Sequence, residues 1–457
     1  MSVVLKFGGS SVADAVCVRR VAEIVKSAGS RAPVVVLSAM GKTTDALFAA
    51  AQAAERGETE AALKALREIV AKHKKACSEL WEGEPPIDLQ QFIEALSIQI
   101  DMLLRGVSLL RELSARSRDA IVSFGELLSS QIVAAFLHSR GVPTAWLDVR
   151  RVLRTDARFG EAEPLTGDIA ALARSELLPL MSGGRAVVTQ GYIGSTRDGI
   201  TTTLGRGGSD YSASLLGAAI GATEVQIWTD VEGILTADPR MVPDASPILE
   251  LSFREAAELA AFGAKVLHPA TIQPAVDANI PVTVRHTMRP EGKFSTITAK
   301  GGAGSPRPAT AIASRGPIQV ITIESTRMLA QSGFLARIFE VFGRLGTSVD
   351  VVATAEVSVS LTVEATAPIE SIRKELGAFA HVSVASDRAL VALVGERLKH
   401  TPGLAARVFG ALSSINVEMI SMGSNEINLS LVVERKEEAS AVRLLHAALF
   451  GAKGGTT

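Results

Sequence analysis

The chain has 457 residues, 47% of them hydrophobic, and a formal net charge of −1 from 47 basic and 48 acidic side chains. That length predicts two or three domains, each with its own core, and the balanced charge argues against a general nucleic-acid or polyanion binder. Cys17 and Cys77, the two cysteines, form no metal-type spacing, which suits a reducing compartment. No run of about 20 apolar residues predicts a transmembrane helix, and the start MSVVLKFGGSSV lacks a secretory pattern, so a cytoplasmic protein is expected.

In chain order, Val3 to Phe7 reads as a short buried strand, followed at once by Gly8-Gly9-Ser10-Ser11 and a helical pattern over residues 12–28. Strand, glycine turn, helix is an arrangement that receives phosphates on backbone N–H groups. Lys6 stands beside the turn; as a lone lysine it also fits a solvated strand end. Ala32 to Leu37 is a second strand, ending in Ser38 and running to GKTTD. A Walker A loop fails here, because Val36 occupies the position of its first glycine. Ser38 and Thr44 remain as hydroxyls at the carboxyl end of a strand, where α/β sheets bind ligands.

Residues 46–118 predict several amphipathic helices with a break at Gly83-Glu84-Pro85-Pro86. Ala120–Phe124 predicts a strand meeting Gly125-Glu126, where Glu126 fits a helix cap and an ammonium ligand equally well. Strands follow over Thr144–Asp148 and Ala186–Tyr192. Then comes TTTLGRGGSDYSASLLGAAI, residues 201–220. Glycines 205, 207 and 208 let a backbone approach a ligand closely, and the following helix start favours anions. Ser209 as N-cap with Asp210 on the helix dipole is the bland reading. It does not account for Arg206, a planar fork suited to carboxylate or phosphate.

Val225–Thr229 predicts a strand ending at Asp230, and the turn-rich stretch to Arg240 suggests a ligand loop. Ser252–Ala261 reads as a helix, Lys265 lies in a glycine-containing turn, His268 reads as structural, and Val282–Arg285 is the last strand expected before the end of this domain. Alternating strands and helices predict an α/β domain with a largely parallel sheet over residues 1–298. A small-residue and proline-rich linker is expected over 299–316.

The remainder is duplicated. Residues 333–364 align without gaps to 403–434 with nine of 32 positions identical, and each copy predicts a ferredoxin-like βαββαβ module. Modules over 317–387 and 388–457 carry no catalytic-looking cluster, so binding or assembly is their expected work.

KFGGSSV, SFGE, TTLGRGGSDYSA, WTDVEG with TADPR, and FGAKVLHP, in that order and followed by the repeat pair, resemble the aspartokinases, closest to the monofunctional lysine-sensitive branch. The resemblance implies an amino-acid-kinase fold, an open mostly parallel sheet between helices, followed by two ferredoxin-like ACT domains. It implies transfer of the γ-phosphoryl of ATP, with Mg2+ held mainly by the phosphates and no protein metal site, to the β-carboxylate of L-aspartate. Lys6, Arg206 and Asp210 then become the catalytic set. Ser38, Thr44, Glu126 and Ser209 join Arg206 and Asp210 around aspartate. Lys6, Phe7, Gly8, Gly9, Thr229, Asp230, Leu235, Arg240, Lys265 and Val266 fall on the nucleotide side. Leu235 departs from the tyrosine that relatives often carry there.

For regulation, the resemblance implies L-lysine at an interface between the first repeats of two subunits, within a homodimer or dimer of dimers. Its contacts would be the helix start at Ser332–Leu335, with Met328, Gln331, Phe334, Val349, Asp350 and Glu356. Gln331 and Ala355 depart from the small hydroxyl residues expected there. Repeats that only build the dimer are the simpler alternative. For the whole chain, the alternatives are a non-catalytic amino-acid sensor and a sister kinase acting on another carboxylate.

Overall fold

The computed structural model describes residues 2–263, 269–302, 309–326, 328, 332–423 and 426–451. Its contacts divide the chain into two compact units: residues 1–234 with 267–301, and residues 235–266 with 302–457.

In the first unit, β1 (Val3–Phe7) leads through a short 3-10 turn to α1 (Ala15–Ser27), whose N-cap Asp14 accepts from the Cys17 N–H at 2.9 Å. β2 (Val34–Leu37) precedes α2 (Thr43–Glu55), α3 (Thr59–Trp81) and α4 (Ile87–Leu110), the predicted helical insertion. α5 (Ala115–Val122), α6 (Phe124–Ser139), β3 (Thr144–Trp146), α7 (Thr166–Leu172) and β4 (Ala186–Gln190) follow. Next come the hairpin β5 (Ile193–Ser195) and β6 (Thr201–Thr203), then α8 (Gly208–Ile220) and β7 (Glu224–Thr229).

Residues 120–122 end α5 and Phe124 opens α6, against the strand expected over 120–124. The run AIVSF is apolar because it is buried on several sides, and so short a run does not separate buried helix from buried strand. Ala115–Ser139 also holds an 18-residue stretch apolar enough to cross a membrane, with mean hydropathy 1.7, yet 83% of that stretch is buried inside the protein.

The unit closes with α10 (Pro269–Asp277), β9 (Val282–His286) and β10 (Ser295–Thr298). β9 is thus not the last strand, since β10 pairs antiparallel to it. Among the described residues, the strands that this unit contributes to its main sheet run β3-β4-β2-β1-β7-β9-β10, parallel except for β10. β1, β2 and β4 are buried at every position, as a sheet covered on both faces requires. Their carboxyl ends deliver Gly8-Gly9, Ser38 and Gly191-Tyr192 to one edge of the sheet, where open α/β sheets hold ligands.

The second unit opens with β8 (Glu250–Ser252) and α9 (Phe253–Ala261). Ser252 and Glu255 cap α9 reciprocally in a capping box. β11 (Ala311–Glu324) runs through residues 311–316, so the linker expected over 299–316 does not extend to 316. α11 (Phe334–Arg344), β12 (Val352–Thr354), β13 (Ser358–Glu364), α12 (Ile369–Leu376) and β14 (His381–Val394) build the first module. α13 (Leu404–Ala411), β15 (Met419–Met422), β16 (Asn428–Glu434) and α14 (Glu438–Phe450) build the second.

All six strands form one antiparallel sheet in the order β12-β13-β11-β14-β16-β15. Residues 318–324 of β11 pair with β13, while 311–315 pair with 390–394 of β14. The second module is therefore completed by strand residues that precede the first, and the two modules share long strands. The register shifts between Arg315 and Ile318, where Pro317 has no N–H for the ladder. Separate cores sit behind the modules: Ile321, Phe334, Ile338, Phe342 and Leu361 in one, Leu393, Leu404, Leu431 and Leu445 in the other. Ala237 and Val242 join the second core, which binds the 235–266 segment to the C-terminal module.

Candidate functional site

One cleft of about 1010 Å³ opens at the carboxyl edge of the first unit's parallel sheet. Its lining includes Lys6, Gly8, Gly9, Ser38, Thr44, Glu126, Arg206, Ser209 and Asp210, residues separated by up to 204 positions in the chain. Lys6 belongs to a fully buried strand and is itself 8% exposed. A charge so placed needs a partner, and Asp210, in the first turn of α8, lies 2.6 Å from its Nζ.

Close packing explains the glycines. A Cβ on Gly9 would stand 2.8 Å from the Gly41 carbonyl oxygen, and one on Gly125 would stand 2.7 Å from the Ala39 Cβ. Both glycines hold the loop after β2 against its neighbours. Gly205 and Gly207 have φ of +74° and +70°, a left-handed backbone that glycine adopts without strain. Gly207, not Ser209, is the N-cap of α8. Ser209 is thereby released from capping, and its Oγ accepts from the Ser38 Oγ at 2.9 Å.

Glu126 sits in the first turn of α6, 2% exposed, with Oε1 accepting from the Thr44 hydroxyl at 3.3 Å. Its Oε2 has no partner among the described residues. Burial pushes its carboxyl up to about 8, against weaker opposing hydrogen bonds from backbone N–H groups and Thr44.

Several lining residues have no motif to announce them. Arg118, Arg158, Phe159, Gly160, Glu161 and Tyr192 also face the cleft, beside Thr203 of the TTT run. Asp119, fully buried, accepts from the Gly160 N–H at 2.8 Å, the Thr203 N–H at 2.9 Å and the Thr203 hydroxyl at 3.0 Å. It thereby ties the 158–161 loop to the strand that leads into Gly205. Tyr192 holds φ of +69°, an uncommon conformation for a bulky residue and one concentrated at functional sites. A positive φ leaves no signal in a single sequence unless the residue is glycine.

The remaining expected residues lie outside this lining. Phe7 is wholly buried and stacks on Trp228 with centroids 5.9 Å apart, so its side chain is core and only its backbone borders the turn. Thr229 donates to the Asp230 carboxylate at 3.0 Å, at the carboxyl end of β7. In the second unit Leu235 is half-buried, and Arg240 is exposed with its Nε 3.0 Å from Asp238. Lys265, Val266 and His268 lie outside the described residues, as does Gln331.

Of the regulatory set, Phe334 is buried and Met328 and Val349 pack on the first module's core, while Leu335 is 41% exposed. Gly333, at φ +86°, caps α11. Asp350 pairs with Arg315 at 2.5 Å, and Glu356 is exposed between β12 and β13.

Comparison with known proteins agrees with this architecture. Residues 1–286 match the model of the amino acid kinase family, and residues 391–449 match an ACT domain. The chain is 41% identical to the lysine-sensitive aspartokinase 3 of Escherichia coli K12 across 98% of its own length and 99% of the relative's. It is 37% identical to the chloroplastic aspartokinase 1 of Arabidopsis thaliana, covering 98% and 80% respectively. Among solved structures, E. coli aspartokinase III with aspartate and ADP, in the R-state, superposes with a TM-score of 0.83 over 98% of this chain and all of that one, at 41% identity. The same E. coli enzyme with lysine and aspartate, in the T-state, gives 0.81 over 98% and 99%, also at 41%. With 41% identity over 99% of one aspartokinase and 37% over 80% of another, the chain belongs to the aspartokinases.

Proposed function

We propose that this protein transfers a phosphoryl group from ATP to the β-carboxylate of L-aspartate, giving 4-phospho-L-aspartate, and that L-lysine inhibits it. The observation that carries the reading is one cleft lined by Lys6, Arg206, Glu126 and Asp210 together, in a chain similar throughout to an enzyme solved with aspartate and ADP. A cationic group, a glycine turn and a helix start fit a phosphate tail. When bound, ATP supplies an activated phosphoryl group.

The acceptor is already an anion, so no catalytic base is required. The barrier comes from bringing carboxylate and phosphate together, and positioning with cationic stabilisation lowers it. Lys6 neutralises the charge that spreads over the transferring oxygens, and Asp210 holds its ammonium in place. Arg206 grips a carboxylate of aspartate in a planar fork. Glu126 and Asp210 receive the α-ammonium, while Ser38, Thr44 and Ser209 fix the remaining polar atoms.

Thr229, Asp230, Leu235, Arg240, Lys265 and Val266 are assigned to the nucleotide side. Among the described residues no three His, Cys, Asp or Glu side chains converge on a metal position. Mg2+ is assigned to the nucleotide's phosphates, as is general for kinases, and no step runs through a protein-held ion. Small, diffusible substrates suit a cytoplasmic enzyme.

For regulation, the T-state relative binds lysine and aspartate together. We assign Met328, Gln331, Phe334, Leu335, Val349, Asp350 and Glu356 to a lysine site between first modules of two subunits. An assay of ADP release across the amino acids, repeated with millimolar lysine and threonine, tests both halves. Release confined to aspartate and suppressed by lysine is expected; release without an amino acid acceptor, or with glutamate alone, would refute the assignment.

A further inference from the structure

We infer that Arg118 is a second carboxylate-reading arginine of the aspartate site, acting beside Arg206 as a specificity-determining residue for a substrate with a free α-carboxylate. This rests on the aspartokinase reading of the cleft.

Three arginines line that cleft: Arg118, Arg158 and Arg206. Arg158 is already committed, with its Nε 2.6 Å from Asp156 and Nη2 3.1 Å from Glu163. Arg118 is not. It has one long ion pair, 3.9 Å from Nε to Asp119, and among the described residues its guanidinium makes no hydrogen bond. Asp119 is poorly placed to claim it, since its two oxygens already accept three hydrogen bonds from Gly160 and Thr203.

The fork nevertheless lies against the 158–161 loop. Its Nη2 lies 2.1 Å from where a Cβ on Gly160 would stand, so the guanidinium rests directly against a glycine whose φ is +92°. The Gly160 carbonyl oxygen in turn lies 3.3 Å from the Cβ position of Gly205, the neighbour of Arg206. Arg118 is thus delivered to the Gly205–Arg206 side of the cleft. Lys6, by contrast, lies against Gly8, with Nζ 3.5 Å from the corresponding Cβ position.

Aspartate presents two carboxylates, of which the β group reacts and the α group must be held still. Two guanidinium forks converging on one carboxylate bind it bidentately. They penalise an uncharged amide there, because cationic donors are left without an anion. Arg118 therefore separates aspartate from its α-amide, and it does so by binding.

The test is Arg118→Met, which keeps most of the apolar stem, with Arg118→Lys as a second variant. Calorimetric Kd values for L-aspartate and L-aspartic acid α-amide give their ratio in the full-length protein, and ADP release is followed in parallel. In Arg118→Met the ratio should fall about tenfold, roughly the worth of one charge-assisted contact. Most of that fall should come from weaker aspartate binding, with the KM for ATP unchanged. Arg118→Lys should recover part of the ratio. A ratio unchanged in both variants, or equal weakening of both ligands, would overturn the inference and leave Arg118 a packing residue. Wild-type protein lacking aspartate-dependent ADP release would instead overturn the functional reading beneath it.

Discussion

Glu126 holds a proton that a solvated carboxyl would have lost well below neutral pH, because burial raises it to about 8. An arriving ammonium favours the ionised form, so aspartate binding near pH 7 should expel that proton. Aspartate affinity is expected to strengthen from pH 6 to 8 and then level off, and Glu126→Gln should weaken binding and abolish the slope. Calorimetry in buffers of different ionisation enthalpy checks this; the absence of proton release at pH 7 would contradict it.

The same shift has a sign for stability. Between the ordinary glutamate value of 4.5 and about 8 the folded, ligand-free protein binds the extra proton. Its contribution is therefore fully present below that window and lost as pH rises through it. Denaturant midpoints of the wild type should fall across that range more steeply than those of Glu126→Gln.

At the scale of elements, the glycine turns do most of the placing. Gly125→Ala would drive a methyl group into Ala39, 2.7 Å away, and towards Thr43 at 3.3 Å. Overpacking of this kind costs about 1–3 kcal/mol, and it should displace the loop bearing Ser38 and Thr44. Urea unfolding should show the loss, with a raised KM for aspartate beside it; a neutral substitution would mean the loop yields freely.

This scale also shows what a single sequence discloses. The units β1–Gly8-Gly9–α1 and Arg206–α8 were legible because glycine and charge at a strand-to-helix junction have few other causes. AIVSF misled because an apolar five-residue run carries no period, and the hairpin β5–β6 and strand β10 are only three or four residues each. Arg118 and Tyr192 were illegible for another reason: only the fold carries them to the cleft, as only the fold sets the buried Asp119 behind the 158–161 loop. The sharing of β11 between modules was hidden too, since the repeat alignment begins at Gly333, after that strand has ended.

For the whole molecule, the 235–266 segment belongs by contact to the unit that carries the ACT modules. Glu255 accepts from the Glu396 N–H at 3.1 Å, and Glu258 accepts from Asn428 at 2.9 Å. Kinase-family sequence is thereby wired to the second module. If lysine acts through those modules, its coupling to the substrates must be reciprocal. Saturating aspartate and nucleotide should weaken lysine binding by the same factor that lysine weakens theirs, and an unchanged lysine Kd would remove the coupling.

In the proposed mechanism a buried lysine, steadied by Asp210, suppresses the repulsion between two anions. That role is tested most directly by trapping the acyl phosphate with hydroxylamine in wild type and Lys6→Ala. The wild type should yield aspartyl hydroxamate, and turnover in the variant should be at least about a hundredfold lower, the scale of losing one preorganised electrostatic group. Hydroxamate formed at the wild-type rate by folded Lys6→Ala would contradict it.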